Sequence, residues 1–201
     1  AIAARLTGSS TIRYFADTLV DKPGTLPETE SVVGWHTDRA YWGTCTSDSM
    51  LTMWIPFQDC TVEMGPLLYI DGSHTWSGTE DMRTFRCKDL RGLEKQFPDK
   101  LPMTKIPMTL RRGELSVHHC RLIHGSGPNT SGTPRLALAV HLQDAHNRYR
   151  RYNNAKGTPW HIFREDLASK LKDGSPDYSD PTIFPLLWEQ PSVGSATSHN
   201  F

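Results

Sequence analysis

Gly34-Trp35-His36-Thr37-Asp38 sets an imidazole and a carboxylate two residues apart. On an extended strand such residues share a face, roughly 6–7 Å apart at Cα, so His36 and Asp38 could converge on one metal ion. An H-x-D triplet alone is weak, since the two could equally be a surface pair on a loop. A third ligand is needed. The run Val117 to His124 offers His118, His119 and His124. A self-contained zinc site within that run is opposed by strand geometry. His118 and His124 share parity, but six residues of one strand span roughly 20 Å. His119 and His124 would face opposite sides, and only a turn inside the segment would rescue such a site. The simpler expectation is that one of these histidines completes a site begun by His36 and Asp38. His118 and His119 are then expected to pack or to support the ligands.

His124 is favoured by its C-terminal neighbours. Gly125 to Pro134 is rich in turn residues, and an extended segment then begins with Arg135. A hairpin or similar antiparallel return would bring His124, near one strand's end, close to Arg135, near the next strand's start. Two histidines and one carboxylate on one face of a metal leave open positions, a pattern that suits iron(II) oxygenases. An arginine beside them offers a planar two-donor fork for a dicarboxylate co-substrate. Arg135, Ala137 and Ala139 share one strand face, where the small alanines leave room for a ligand. Leu136, Leu138 and Val140 share the other face, which is expected to pack into a core or a flanking layer.

The elements that must position these residues read as strands. Short apolar runs at Met50–Ile55, Leu67–Ile70, Leu115–Val117 and Leu136–Val140 alternate with turn clusters at 63–66, 71–73, 112–113 and 125–134. That pattern predicts an all-β sandwich or barrel with minor helices, not a βαβ fold. Residues 75–105 are polar and long for a hairpin loop, with a short helix predicted around Leu90 to Phe97. They are expected to form a lid or excursion over one end of the sheet. The Pro-rich tail from Arg148 on carries a second predicted helix, Phe163 to Leu171. Arg148 to Tyr152 reads as a solvated basic edge, and His141 and His146 read as strand-end residues. One domain over 1–201 is the simplest organisation.

The balance of 22 Lys plus Arg against 22 Asp plus Glu argues against a dedicated nucleic-acid binder. No apolar run approaches the roughly 18–20 residues of a membrane span. The four cysteines, Cys45, Cys60, Cys87 and Cys120, form no C-x-x-C pair or disulfide framework. Reduced, packed thiols and a cytoplasmic location are expected from them. Ala1 to Leu6 does not read as a signal peptide.

Together these motifs resemble the phytanoyl-CoA dioxygenase family. Trp35-His36-Thr37-Asp38 with Tyr41-Trp42 is similar to its W-H-x-D-x-x-Y-W segment. Trp54-Ile55-Pro56-Phe57-Gln58-Asp59, Gly65-Pro66-Leu67 and Asp71-Gly72-Ser73-His74 resemble the stretch between its ligands. Arg112-Gly113-Glu114, Leu122 to Asn129 and Pro134-Arg135 resemble its second-half signature, and Lys22-Pro23-Gly24 its upstream K-P-x segment. The resemblance covers roughly Thr18 to Asp144. It implies a double-stranded β-helix (jelly roll, cupin-like) using Fe(II), 2-oxoglutarate and O2 to hydroxylate a small-molecule substrate, with release of succinate and CO2. It further implies that His36, Asp38 and His124 carry the metal and that Arg135 and Ser126 hold the distal carboxylate. Trp54 would line that pocket and Thr18 would fall at a co-substrate position. Ser126 could instead merely serve its turn, and Trp54 could be plain core. Thr37 stands where Gln is common, and Glu63-Met64-Gly65 replaces a polar-Asn-Gly. Related halogenases have a small residue in place of Asp38, so halogenation is not expected. Members of the family have more sequence before the first ligand, so part of the N-terminal region is expected to be missing from this chain. Two other classes stay open: a cupin-type metalloenzyme without 2-oxoglutarate, which would need no dicarboxylate clamp, and a non-catalytic jelly-roll binding protein.

Overall fold

A computed structural model describes residues 1–24, 31–100, 102–154 and 156–191. The last part of the Pro-rich tail, 192–201, lies outside the described residues. Among the described residues nine strands form two antiparallel sheets: β1 (Thr11–Lys22), β2 (Val33–His36), β3 (Leu51–Pro56), β4 (Leu67–Ile70), β5 (Lys105–Pro107), β6 (Ser116–His119), β7 (His124–Ser126), β8 (Arg135–Asp144) and β9 (Leu186–Glu189). The larger sheet has the order β6-β3-β8-β1-β9, the smaller β2-β7-β4-β5. This is the jelly roll that the family resemblance implies, and it agrees with the all-β sandwich or barrel expected from the strand pattern. The expected strands omit β1, the longest. Its outward positions mix polar Asp17 and Asp21 with apolar Leu19, and a register shift between Tyr14 and Ala16 interrupts its alternation.

Strand parity decides what faces inward. Along β8, Arg135, Ala137 and Ala139 are buried, while Leu136 is exposed and Leu138 and Val140 are half-buried. The alanine face is therefore the interior, and the bulky face is only partly covered, contrary to expectation. A helix at Ile2–Thr7 explains the covered part: Ala3 and Ala4 pack with Leu51 and Leu142, and Met53, Val117 and Val140 flank them. Apolar area removed there contributes about 25 cal/mol per Å². At one end of the sandwich the C-terminal segment closes a second core, with Phe15, Trp42, Met50, Tyr178 and Phe184 in contact. The predicted tail helix is present but shorter, Arg164–Leu167.

Within the excursion over 75–105, the part from Trp76 to Phe97 lies on the outer face of the smaller sheet. Its Trp76, Met82, Leu90 and Phe97 pack on Trp35, Ile70 and Ile123, and its helix is confined to Leu90–Glu94. Gly34 permits this approach. A Cβ there would stand 2.1 Å from the Thr84 carbonyl oxygen, and the Gly34 amide donates to the Phe85 carbonyl at 2.9 Å. The contact sets Phe85 beside His36.

The expected hairpin from His124 to Arg135 does not form. His124 opens β7 in the smaller sheet, whereas Arg135 opens β8 in the larger one. Residues 127–134 cross between the sheets, held by Asn129. Its side chain donates to the carbonyls of Lys22 and Thr133, satisfying backbone that a ladder would otherwise pair.

Candidate active site

Rows of side chains across the two inner faces build the site. In the smaller sheet His36 pairs with His124, and His124 with Tyr69. In the larger sheet His118 pairs with Thr52, and Thr52 with His141. The two rows face one another with Asp38 between them. One ligand atom from each of His36, Asp38 and His124 lies within 4.8 Å of the other two. Asp38 is not on the strand with His36, as the i, i+2 geometry supposed. β2 ends at His36, and Asp38 begins a single 3₁₀ turn, Asp38–Tyr41. The turn folds the carboxylate inward instead of running it past the imidazole.

Hydrogen bonds fix each candidate ligand. His36 Nδ1 lies 2.8 Å from the Gly34 carbonyl, and His124 Nδ1 lies 2.9 Å from the Leu122 carbonyl. A carbonyl only accepts, so both Nδ1 atoms carry hydrogen and both Nε2 lone pairs are free for a metal. Asp38 Oδ2 accepts from Thr52 Oγ at 2.5 Å and from His118 Nε2 at 3.2 Å. Its Oδ1 stays open, 3.6 Å from His124 Nε2. Behind them, Tyr69 Oη lies 2.8 Å from His118 Nδ1 and 2.7 Å from Ser116 Oγ, and His141 Nδ1 lies 2.8 Å from Thr52 Oγ. Burial favours the neutral imidazoles, pushing His36 down to about 3 and His118 to about 4, and lowering His141. Burial works against the Asp38 carboxylate, but the surrounding histidines outweigh it and hold its pKa well below the usual range.

The turn inside the segment, which alone could bring these histidines together, does exist. β6 and β7 lie in different sheets, and residues 120–123 between them reverse the chain, so the His118 and His124 rings stand 4.4 Å apart. His118 spends its Nε2 on Asp38 Oδ2, so it supports a candidate ligand instead of being one. His141 is likewise not a strand-end residue, because β8 runs on to Asp144. It lines the cavity together with Thr52 and Trp54. The clue available in the sequence was His141's parity with Arg135, Ala137 and Ala139.

The same cavity, of about 670 Å³, has Arg135, Ser126, Trp54 and Thr18 in its wall. All four residues expected to meet a co-substrate therefore share one space with His36, Asp38 and His124. Arg135 is 1% exposed, and its guanidinium carbon sits 5.2 Å from the Trp54 ring centroid. Its Nε and Nη1 have no hydrogen-bond partner among the described residues. A buried cation with open donors is costly, and a carboxylate of complementary shape would relieve that cost. Next to it, buried Lys22 donates to Ser126 Oγ and to the Gly127 carbonyl, both at 2.5 Å. The sequence drew attention to Lys22 only as part of a motif. The cavity mouth carries Tyr41, Arg83, Phe85 and Arg86. Arg83 is engaged by Asp81 at 2.8 Å and by the Trp160 ring.

The donor set suits an iron(II) ion: two imidazole nitrogens and one carboxylate oxygen, convergent and buried. The open donors of Arg135 suit the far carboxylate of a dicarboxylate ligand.

A model of the phytanoyl-CoA dioxygenase (PhyH) family matches residues 11–137, from the first residue of β1 into β8. The chain belongs to the phytanoyl-CoA dioxygenase family. Phytanoyl-CoA dioxygenase domain-containing protein 1 of Danio rerio is 29% identical over 117 residues, which are 56% of this chain and 39% of that protein. The chain thus spans about two-fifths of the length of the curated relatives it matches. Among solved structures, the non-heme alpha ketoglutarate dependent carbocyclase SnoK from nogalamycin biosynthesis is 27% identical with a TM-score of 0.68, covering 93% of this chain and 66% of that one. The epimerase SnoN, in complex with Fe3+, alpha ketoglutarate and nogalamycin RO, is 26% identical with a TM-score of 0.69, covering 93% and 69%. These similarities agree with the jelly roll seen here. Cys45, Cys60, Cys87 and Cys120 are all free thiols. Among the described residues no helix is long and apolar enough to cross a membrane.

Proposed function

We propose that this chain is the catalytic domain of an Fe(II)- and 2-oxoglutarate-dependent dioxygenase that hydroxylates a small organic substrate, releasing succinate and CO2. One observation carries this reading. A single cavity holds a convergent His-Asp-His donor set and, in the same wall, a buried guanidinium with unused donors.

His36, Asp38 and His124 would hold the iron, each through the one atom that its other hydrogen bonds leave free. Arg135 and the Ser126 hydroxyl would hold the distal carboxylate of 2-oxoglutarate, orienting its 2-oxo acid end toward those ligands. Trp54 would flank the carbon chain, and Thr18 would complete the pocket wall. Iron held by His36, Asp38 and His124, with 2-oxoglutarate held by Arg135 and Ser126, would supply the oxidising chemistry for a substrate C–H bond. The protein keeps that centre dry: both histidines and Asp38 are buried, and Phe85 packs edge-on to the His36 ring at 4.9 Å. Residues 75–105, which bring Phe85, Arg83 and Arg86 to the mouth, would act as the lid and meet the substrate. The four free thiols accord with a cytoplasmic location. SnoK and SnoN are named a carbocyclase and an epimerase, so hydroxylation is one of several outcomes that this fold houses; Asp38, by filling the third ligand position, favours it over halogenation.

Succinate release, with Fe(II), 2-oxoglutarate and oxygen supplied, tests the reading. The wild-type chain should form succinate without added substrate, at a slow uncoupled rate, and Asp38→Ala should form none. Turnover retained in Asp38→Ala would remove Asp38 from the site. A tightly bound metal without 2-oxoglutarate consumption would favour the cupin-type alternative.

A further inference from the structure

The cavity mouth carries charge that the proposed chemistry leaves unused. Among the described residues lining the cavity, Asp38 is the one acidic group, and Arg83, Arg86 and Arg135 are the cations. Asp38 serves the metal and Arg135 the far carboxylate of 2-oxoglutarate. Arg83 and Arg86 remain, on the stretch that also sets Phe85 against the His36 ring. The cavity, at about 670 Å³, is far larger than a five-carbon diacid, so a second ligand has room beside these two arginines.

Arg83 is built into place. Its guanidinium lies over the Trp160 ring, 4.7 Å from the centroid, and its Nη2 donates to Asp81 Oδ1 at 2.8 Å. Both supports are themselves fixed. Trp160 Nε1 donates to the Tyr41 carbonyl at 3.0 Å, and Tyr152 Oη donates to the same Asp81 oxygen at 2.9 Å. A charge that only faced water would not need such a frame, which costs side-chain entropy. Among the described residues, Arg83 Nε and Nη1 make no hydrogen bond, and exposed Arg86 makes neither hydrogen bond nor ion pair. Tyr41 links these arginines to the ligand set. Its hydroxyl accepts from the Phe85 amide at 3.3 Å, which leaves its own hydrogen to donate. Arg83, Arg86 and Asp38 all act electrostatically on that hydroxyl, and the Tyr41 ring stands 6.1 Å from the His36 ring.

We propose that the mouth is an anion subsite for the primary substrate: Arg83 and Arg86, with the Tyr41 hydroxyl, bind the oxyanion group (carboxylate or phosphate) of an organic acid whose carbon body lies against Phe85 and Tyr41. The inference rests on the oxygenase reading above and adds the substrate class. A guanidinium fork matches the oxygens of either anion, and the aromatic rings cover the adjoining carbons. The charged end is then held at the mouth, and the apolar carbons are directed toward His36.

The test uses protein saturated with iron(II) and 2-oxoglutarate, titrated calorimetrically without oxygen. The probes are matched pairs: phenylacetate with phenylacetamide, hexanoate with hexanamide, and phenyl phosphate with phenol. In at least one pair the anion should bind about tenfold tighter than its neutral partner, the scale of one charge-assisted hydrogen bond. Which pair responds distinguishes a carboxylate from a phosphate. Arg86→Gln should erase most of that preference, and Arg86→Lys should keep most of it. Affinity for 2-oxoglutarate should be unchanged in Arg86→Gln, because the charges of that ligand are met elsewhere. Arg86 supports no other group among the described residues, so its replacement reads binding and not folding. The proposal is overturned if no probe binds, if every anion binds no better than its partner, or if the preference survives Arg86→Gln. Iron-loaded wild-type protein that binds no 2-oxoglutarate would overturn the oxygenase reading itself, a result distinct from these.

Discussion

The two ends of the cavity solve opposite problems. At the histidine end, the polar groups around the ligand set find partners within the protein: Nδ1 of His36 and of His124 on carbonyls, Asp38 Oδ2 on Thr52 and His118, His118 on Tyr69. What remains open there is one lone pair per ligand. At the arginine end, two buried cations lie side by side, and Arg135 leaves two donors unused. The first end is organised before any ligand arrives. The second holds unsatisfied charge that only an anion relieves. A metal centre benefits from fixed geometry, whereas a carboxylate pocket gains affinity from desolvated, waiting donors.

Substitutions can break that contrast. Asp38→Ala should have the largest effect. Partners behind a ligand cost about 10–100-fold in metal affinity, so losing a ligand should exceed about a hundredfold, read by anaerobic iron(II) titration. Arg135→Met should come next and act in two directions. It should weaken 2-oxoglutarate by about 30-fold or more, the cost of truncating a buried charge pair. It should also raise the melting temperature of the ligand-free protein, because an uncompensated buried cation becomes an apolar side chain. No substitution at the histidine end should share that stabilisation. Thr52→Val removes one donor to Asp38 Oδ2 and should lower iron(II) affinity about tenfold, with Thr52→Ser restoring it. A further effect, which bears on stability and not on ligand affinity, is pH dependence. His36 and His118 titrate near 3 and near 4 when folded, against about 6.5 unfolded. Between those values the unfolded chain holds protons that the folded chain does not, so stability falls as pH drops from about 6.5 toward 3. Each histidine contributes at most about 1.4 kcal/mol per pH unit. Acid unfolding of metal-free protein followed by circular dichroism should show this, with a shallower slope in His118→Gln.

The contrast also marks what the sequence could reveal. His36, Asp38, His124 and Arg135 sit in short, recognisable motifs, and parity along β8 pointed Arg135 toward the alanine face. The supporting groups carry no such mark. Thr52, His118 and His141 meet only because β6, β3 and β8 align in one register, and Tyr69 reaches His118 from the opposite sheet. Lys22 meets Ser126 across 104 residues of chain. Strand periodicity alone also misjudged two turns. A 3₁₀ turn carries Asp38 inward, and the reversal at 120–123 sends His118 and His124 to facing sheets. Local spacing specifies which face a residue takes on its strand, but not where the strand stops.

The central claim is that one cavity holds iron at one end and the far carboxylate of 2-oxoglutarate at the other. The most direct measurement is anaerobic visible spectroscopy of metal-free protein given iron(II) and then 2-oxoglutarate. The account predicts a metal-to-ligand charge-transfer band that needs both additions, is lost in Asp38→Ala, and requires much higher 2-oxoglutarate in Arg135→Ala. Folded wild-type protein that gives no band, or a band indifferent to Arg135, would contradict it.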